Sequence, residues 1–103
     1  MINNTAEIKL TKTMLDKAII DANNSVREFV KGFGVDFNKM KSGDRATLEA
    51  KFSDGTKTSI NLYRTNNARG DRRISIKGIK SQAEMGNVVS ISKKGKGILI
   101  EIH

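Results

Sequence analysis

The chain contains no cysteine, no proline and no tryptophan, and its one histidine is residue 103. Without cysteine there is neither a disulfide framework nor a thiolate metal site. That fits a reducing compartment, so the expected location is cytoplasmic, on the nucleoid if the source is bacterial. His103 alone cannot form a histidine-based acid–base pair or a histidine-rich metal site. No Ser/His/Asp or Cys/His set can be assembled, and no cofactor motif is present, so no enzyme activity and no cofactor are expected. Aromatic residues are scarce, four Phe and one Tyr. The stacking platforms of single-strand nucleic-acid binders are therefore missing. No apolar run approaches membrane-spanning length, no segment reads as a signal peptide, and no lipidation motif occurs, so no membrane partner is expected.

What remains is a 103-residue chain, 37% hydrophobic, with a net charge of +8. That length suits one domain, with enough apolar residues to fold alone. The charge is unevenly placed. Residues 1–44 hold seven Lys/Arg against six Asp/Glu, whereas residues 45–103 hold twelve against five. Such an excess on one part of a small protein points first to nucleic acid, then to an acidic protein partner.

The hydrophobic period divides the chain at the same place. Residues 7–10 read as a strand with Ile8 and Leu10 on one face. A helix follows, capped by Thr11, or by Thr13 with Asp16 in a capping box, with Met14, Leu15, Ala18, Ile19 and Ala22 at helical spacing. Asn23-Asn24-Ser25 interrupts this helix or caps a second one. That second helix carries Val26, Phe29, Val30 and Phe33 as an apolar stripe and ends at Gly32 and Gly34. Val35, Phe37 and Met40 read as a short buried turn. From Arg45 the period becomes two: Ala46, Leu48, Ala50 and Phe52 alternate with Arg45, Thr47, Glu49 and Lys51. Asp54-Gly55 marks a hairpin turn. Thr58, Ile60 and Leu62 continue the buried face, leaving Ser59, Asn61 and Tyr63 outward. Ile74, Ile76 and Ile79 mark the next strand, with Arg73, Ser75 and Lys77 outward. Val88, Val89 and Ile91 form another strand, and Ile98, Ile100 and Ile102 a last one. The expected fold is α+β, mostly β: a single domain over residues 1–103, with about six antiparallel strands in a barrel-like sheet and one or two N-terminal helices. Closure removes exposed sheet edges.

The most informative stretch is residues 64–73, with Arg64, Asn66, Asn67, Arg69, Arg72 and Arg73. Guanidinium groups pair with phosphates or guanine edges, and Asn amides suit adenine edges. Crowding that much like charge into one loop brings self-repulsion and no stability. The loop is therefore expected to face double-stranded DNA, with Tyr63, Arg73, Ser75 and Lys77 extending the patch. Asn66 and Asn67 have a second reading as turn residues that tolerate positive φ. The turn Lys93-Lys94-Gly95-Lys96-Gly97 supplies further phosphate contacts or is a plain hairpin; it lacks the spacing of a P-loop.

One enzymatic signal stands against this. Glu49-Ala50-Lys51 has the carboxylate-x-lysine spacing of metal-dependent nucleases, with Asp44 five residues before. Glu-x-Lys on a solvent-facing strand is common, and Asp44 follows Gly43 in a turn, so no metal site is expected.

The run from Gly43 to Ile79, followed by Gly86-Asn87-Val88-Val89-Ser90-Ile91, resembles the DNA-binding pseudobarrel superfamily. Its members include plant transcription-factor domains and the effector-binding domain of certain restriction endonucleases. The resemblance covers residues 43–102, with Asn87 where the family usually has Asp. It implies a strand pair that carries basic loops into the major groove, with Arg64, Asn66, Asn67 and Arg69 on a DNA-contacting loop and Arg72, Arg73 and Lys77 flanking the groove. It also implies binding without cutting, because nothing here corresponds to the cleavage domain of the endonuclease relatives. The competing expectation, from another class, is a small phage-type inhibitor or adaptor docked on an acidic protein surface; a metal-dependent nuclease comes third.

Overall fold

The computed structural model describes residues 5–17, 19–66, 70–95 and 97–103. Its first strand, β1 (Thr5–Lys9), alternates between buried and exposed residues, with Ala6 and Ile8 inward. Leu10 is buried beyond its end. Thr11 Oγ1 accepts a hydrogen bond from Met14 N at 3.2 Å, so Thr11 rather than Thr13 caps α1 (Lys12–Lys17).

The helix is shorter than its spacing predicts. It stops at Lys17, and Ile20–Asp21 instead forms β2, a two-residue edge strand. Ile20 faces Ile74 and Asp21 faces Arg73 in that pairing. Ile19 and Ile20 are β-branched, and an open sheet edge needs a partner; both outweigh the helical period. Ala18 lies outside the described residues. Asn23 then caps α2 (Asn24–Lys31), its side chain accepting from Val26 N at 2.9 Å. Val26, Phe29 and Val30 form the buried stripe, and the half-buried Phe33 ring packs 5.3 Å from Phe29. A 3-10 turn (Phe37–Lys39) buries Phe37, and Met40 is buried just after it.

The strand-rich part follows the two-residue period closely. β3 (Arg45–Phe52) and β4 (Lys57–Arg64) form a hairpin in which Lys51 faces Lys57 and Arg45 faces Tyr63. Gly55 takes φ +91° at its tip, a conformation that the glycine permits without strain. β5 (Arg72–Ile76) pairs with β4, so that Arg64 faces Arg72. Ile79 does not extend β5; it opens α3 (Ile79–Gln82), which carries the chain across the end of the sheet. β6 (Val88–Lys94) and β7 (Gly97–Ile102) form the last hairpin.

The sheet has seven strands in the order β1-β6-β7-β3-β4-β5-β2 and curls into a half-barrel. One pairing departs from the antiparallel expectation: β7 lies parallel to β3, with Lys51 facing Leu99. The reason is connectivity. β5 runs in the same direction as β3, and α3 returns the chain to the sheet at the end where β5 stops. β6 therefore descends, β7 rises, and β7 meets β3 parallel. Ile60, Leu62, Ile74, Ile76, Val89, Ile91, Ile98 and Ile100 line the inner face with α2 against it; no polar or charged residue is buried among the described residues. The Gly86-Asn87 turn leads into β6, where Asn87 Oδ1 accepts from Glu84 N and Nδ2 donates to His103 O. An aspartate could not make both contacts, because it has no N–H. Among the described residues no helix is long and apolar enough to cross a membrane.

Candidate nucleic-acid interface

The arginines of the 64–73 segment have partners within the domain. A backbone hydrogen bond from Thr65 N to Asp71 O closes the base of the loop. Arg64 Nη1 donates to Met40 O at 2.7 Å, and its guanidinium lies against the α-carbon of Gly70. Gly70 is buried at φ +59°, and a β-carbon there would sit 2.7 Å from Arg64 Nε. Arg72 Nε donates to Phe37 O at 3.3 Å. Arg73 pairs with Asp71 at 3.1 Å and with Asp21 at 3.5 Å. All three arginines are half-buried. Arg64 and Arg72 face each other across strands, a like-charge juxtaposition that opposes pairing. The carbonyls of Met40 and Phe37 offset that repulsion, and the two arginines fasten the 37–40 segment to the sheet. Asn66 is exposed; Asn67 and Arg69 lie outside the described residues.

The lysines behave differently. Lys51 and Lys57, directly opposed on β3 and β4, share the outward face with Lys77 at the end of β5 and Lys94 at the end of β6. The four surround a hollow of about 910 Å³, together with Glu49 and Leu99. All four are exposed, and no ammonium among them has a hydrogen-bond or ion-pair partner among the described residues. Lys93, one residue before Lys94, belongs to the opposite face of β6 by strand alternation. Lys96 lies outside the described residues. The sequence assigns Lys77 to the patch beside the 64–73 loop and Lys94 to a separate basic turn, and passes over Lys51 and Lys57; the structure sets all four around one hollow. The sequence conceals Lys51 and Lys57, since a two-residue turn at Asp54-Gly55 would set Lys51 opposite Thr58, whereas the observed register is centred on Asp54.

Farther along the same face, three neutral polar side chains stand in register: Thr47 opposite Asn61, and Asn61 opposite Ser75. Thr47 Oγ1 donates to Asn61 Oδ1 at 3.1 Å, and Asn61 Nδ2 donates to Ser75 Oγ at 3.5 Å. They line a groove of about 530 Å³ with Tyr63 and Arg45, whose guanidinium lies 6.0 Å from the Tyr63 ring centre. Tyr63, Arg73 and Ser75 thus share the face that strand alternation predicts.

Glu49 and Lys51 both project from the outward face of β3. Asp44 is occupied elsewhere: its Oδ2 accepts from Lys41 N at 2.8 Å and caps a turn. Among the described residues no three His, Cys, Asp or Glu side chains gather in a way that could hold a metal ion. At the hairpin tip beside the hollow, Asp54 is held below the usual aspartate range, first by the Thr56 backbone N–H, then by the Thr56 hydroxyl and by Gln82.

No family model matches the chain, and no curated protein matches it. The likeness to the pseudobarrel superfamily rests on the residue pattern alone.

Proposed function

We propose that this domain binds double-stranded DNA without cutting it, gripping the backbone through the outward lysines of β3–β6, with the 64–73 loop at the border of the contact. The observation that carries this reading is the hollow of four lysines that have no partner among the described residues, two of them directly opposed. Like charges placed opposite each other weaken a strand pair, so the arrangement does nothing for folding. A phosphate seated between them relieves the repulsion and releases counterions. Glu49 leaves the hollow with a net positive charge. Duplex is favoured over single strand because Phe29, Phe37 and Phe52 are buried and Phe33 packs on Phe29, which leaves Tyr63 as the one ring on the outward face.

The test is fluorescence anisotropy on random duplex DNA between about 50 and about 200 mM salt, comparing the wild type with the Lys51→Ala/Lys57→Ala/Lys77→Ala/Lys94→Ala variant. Each phosphate contact contributes about 0.9 to the salt slope, so losing four lowers the slope by about 3.6. Over that fourfold change in salt, the wild type should lose about a hundredfold more affinity than the variant. Absence of duplex binding at the lower salt overturns the reading, as does an unchanged slope. Tight binding to polyglutamate that DNA does not displace would assign the surface to an acidic protein instead.

A further inference from the structure

Resting on that reading, we infer that the same face reads sequence, with Asn61 as the residue that recognises an adenine in the major groove. Asn61 stands in the middle strand of the outward face formed by β3, β4 and β5, and it is exposed. Its neighbours in register, Thr47 and Ser75, hold the amide from both sides, one hydroxyl on Oδ1 and the other on Nδ2. A side-chain amide has two lone pairs on oxygen and two N–H groups. One of each is used inside the sheet, and one of each is left. That remaining pair, one acceptor beside one donor, is what the adenine edge requires: the oxygen accepts from N6–H and the amide N–H donates to N7. The amide is therefore oriented before it meets DNA, which reduces the entropy lost on contact.

Cations flank it on both sides along the strands. Arg45 lies one outward row away, about 7 Å at strand rise, in the row of Arg73, whose charge is met by Asp71 and Asp21; in the other direction come Glu49 and Ser59 at about 7 Å, then Lys51 and Lys57 at about 13 Å. A neutral reading row set between cations suits a groove that presents base edges on its floor and phosphates on its rims. The uncharged character of the Thr47–Asn61–Ser75 row is the second point. On a face otherwise rich in Lys and Arg, three neutral hydrogen-bonding side chains coincide in register, where a purely electrostatic grip would be served by more charge. Arg45 and Tyr63 beside the row give a planar wall against which a thymine methyl or a sugar can pack.

Selection from a random duplex pool tests this, with wild type, Asn61→Ala and Thr47→Val taken through the same rounds at fixed salt. The wild type should enrich adenine at one position, and Asn61→Ala should lose about 5- to 150-fold of that discrimination. Its salt slope should stay unchanged, because the phosphate contacts remain. Thr47→Val, which frees the amide but keeps it, should give an intermediate preference. Thermal melts confirm that both variants fold. If the wild type binds duplex in a lysine-dependent way but enriches no adenine, or if Asn61→Ala keeps the enrichment, this inference is overturned while the backbone-gripping reading stands. If the wild type binds no duplex, both fall.

Discussion

Gly70→Ala should be among the most damaging single-methyl changes in this domain, and its cost can be worked out from two contributions. The backbone at φ +59° is left-handed, which costs an L residue about 1–2 kcal/mol. The added carbon would also lie 2.7 Å from Arg64 Nε and 2.8 Å from Nη2. A free arginine would swing away at little cost. Arg64 is not free, because its Nη1 is anchored on Met40 O at 2.7 Å and its Nε is buried without a hydrogen-bond partner. Moving the guanidinium breaks a charge-assisted hydrogen bond, worth about 1.5–3 kcal/mol, and strands the Met40 carbonyl. The sum is about 2.5–5 kcal/mol, a large part of a small domain's stability. Urea unfolding of four proteins, wild type, Gly70→Ala, Arg64→Ala and the double variant, measures it. Once Arg64 is truncated, the three atoms nearest the methyl are gone, so in that background Gly70→Ala should cost mainly the backbone part, about 1–2 kcal/mol. Additive costs, or a Gly70→Ala loss below about 1 kcal/mol, would refute the claim that Arg64 is pinned over this glycine.

Two further outcomes concern stability. Leu62, fully buried in β4, should cost about 2–5 kcal/mol when replaced by Ala, read from the urea midpoint. Asp54 has a depressed folded pKa, so its contribution is complete above the ordinary aspartate range and is lost as pH falls through the lower, folded value. Melting temperatures followed into acid should therefore decline less steeply for Asp54→Asn than for wild type; parallel curves would remove the Thr56 contact as the cause.

Local pattern made much of this architecture legible. The alternation from Arg45 to Phe52 gives β3 residue by residue, because one face packs on a core and the other meets water. The apolar stripe of α2 and the buried turn at Phe37 and Met40 follow in the same way. What the pattern could not show depends on partners distant in sequence. Arg64 and Arg72 look like loop cations until the carbonyls of Met40 and Phe37, 24 and 35 residues away, are brought beneath them. The early end of α1 depends on an edge of β5 that lies more than fifty residues downstream. The parallel β3–β7 contact depends on the path of the whole chain. For the candidate interface the lesson is narrower. Density of Arg in sequence draws attention to residues that fasten the fold, whereas Lys51 and Lys57, six residues apart, become neighbours only when the hairpin register is drawn.

One side chain joins the two margins of the curled sheet. β1 and β2 are its outermost strands, and Asn23, two residues after β2, reaches across to donate from Nδ2 to Glu7 O on β1 at 3.2 Å while its Oδ1 starts α2. Among the described residues this carboxamide spans the gap in a hoop of seven staves, with α2 packed against β1 beside it. Parting of the gap requires the loss of that contact and of the packing of α2 on β1, though of no rung between strands. Replacing Asn23 therefore removes a helix cap and a contact between the sheet margins in one step.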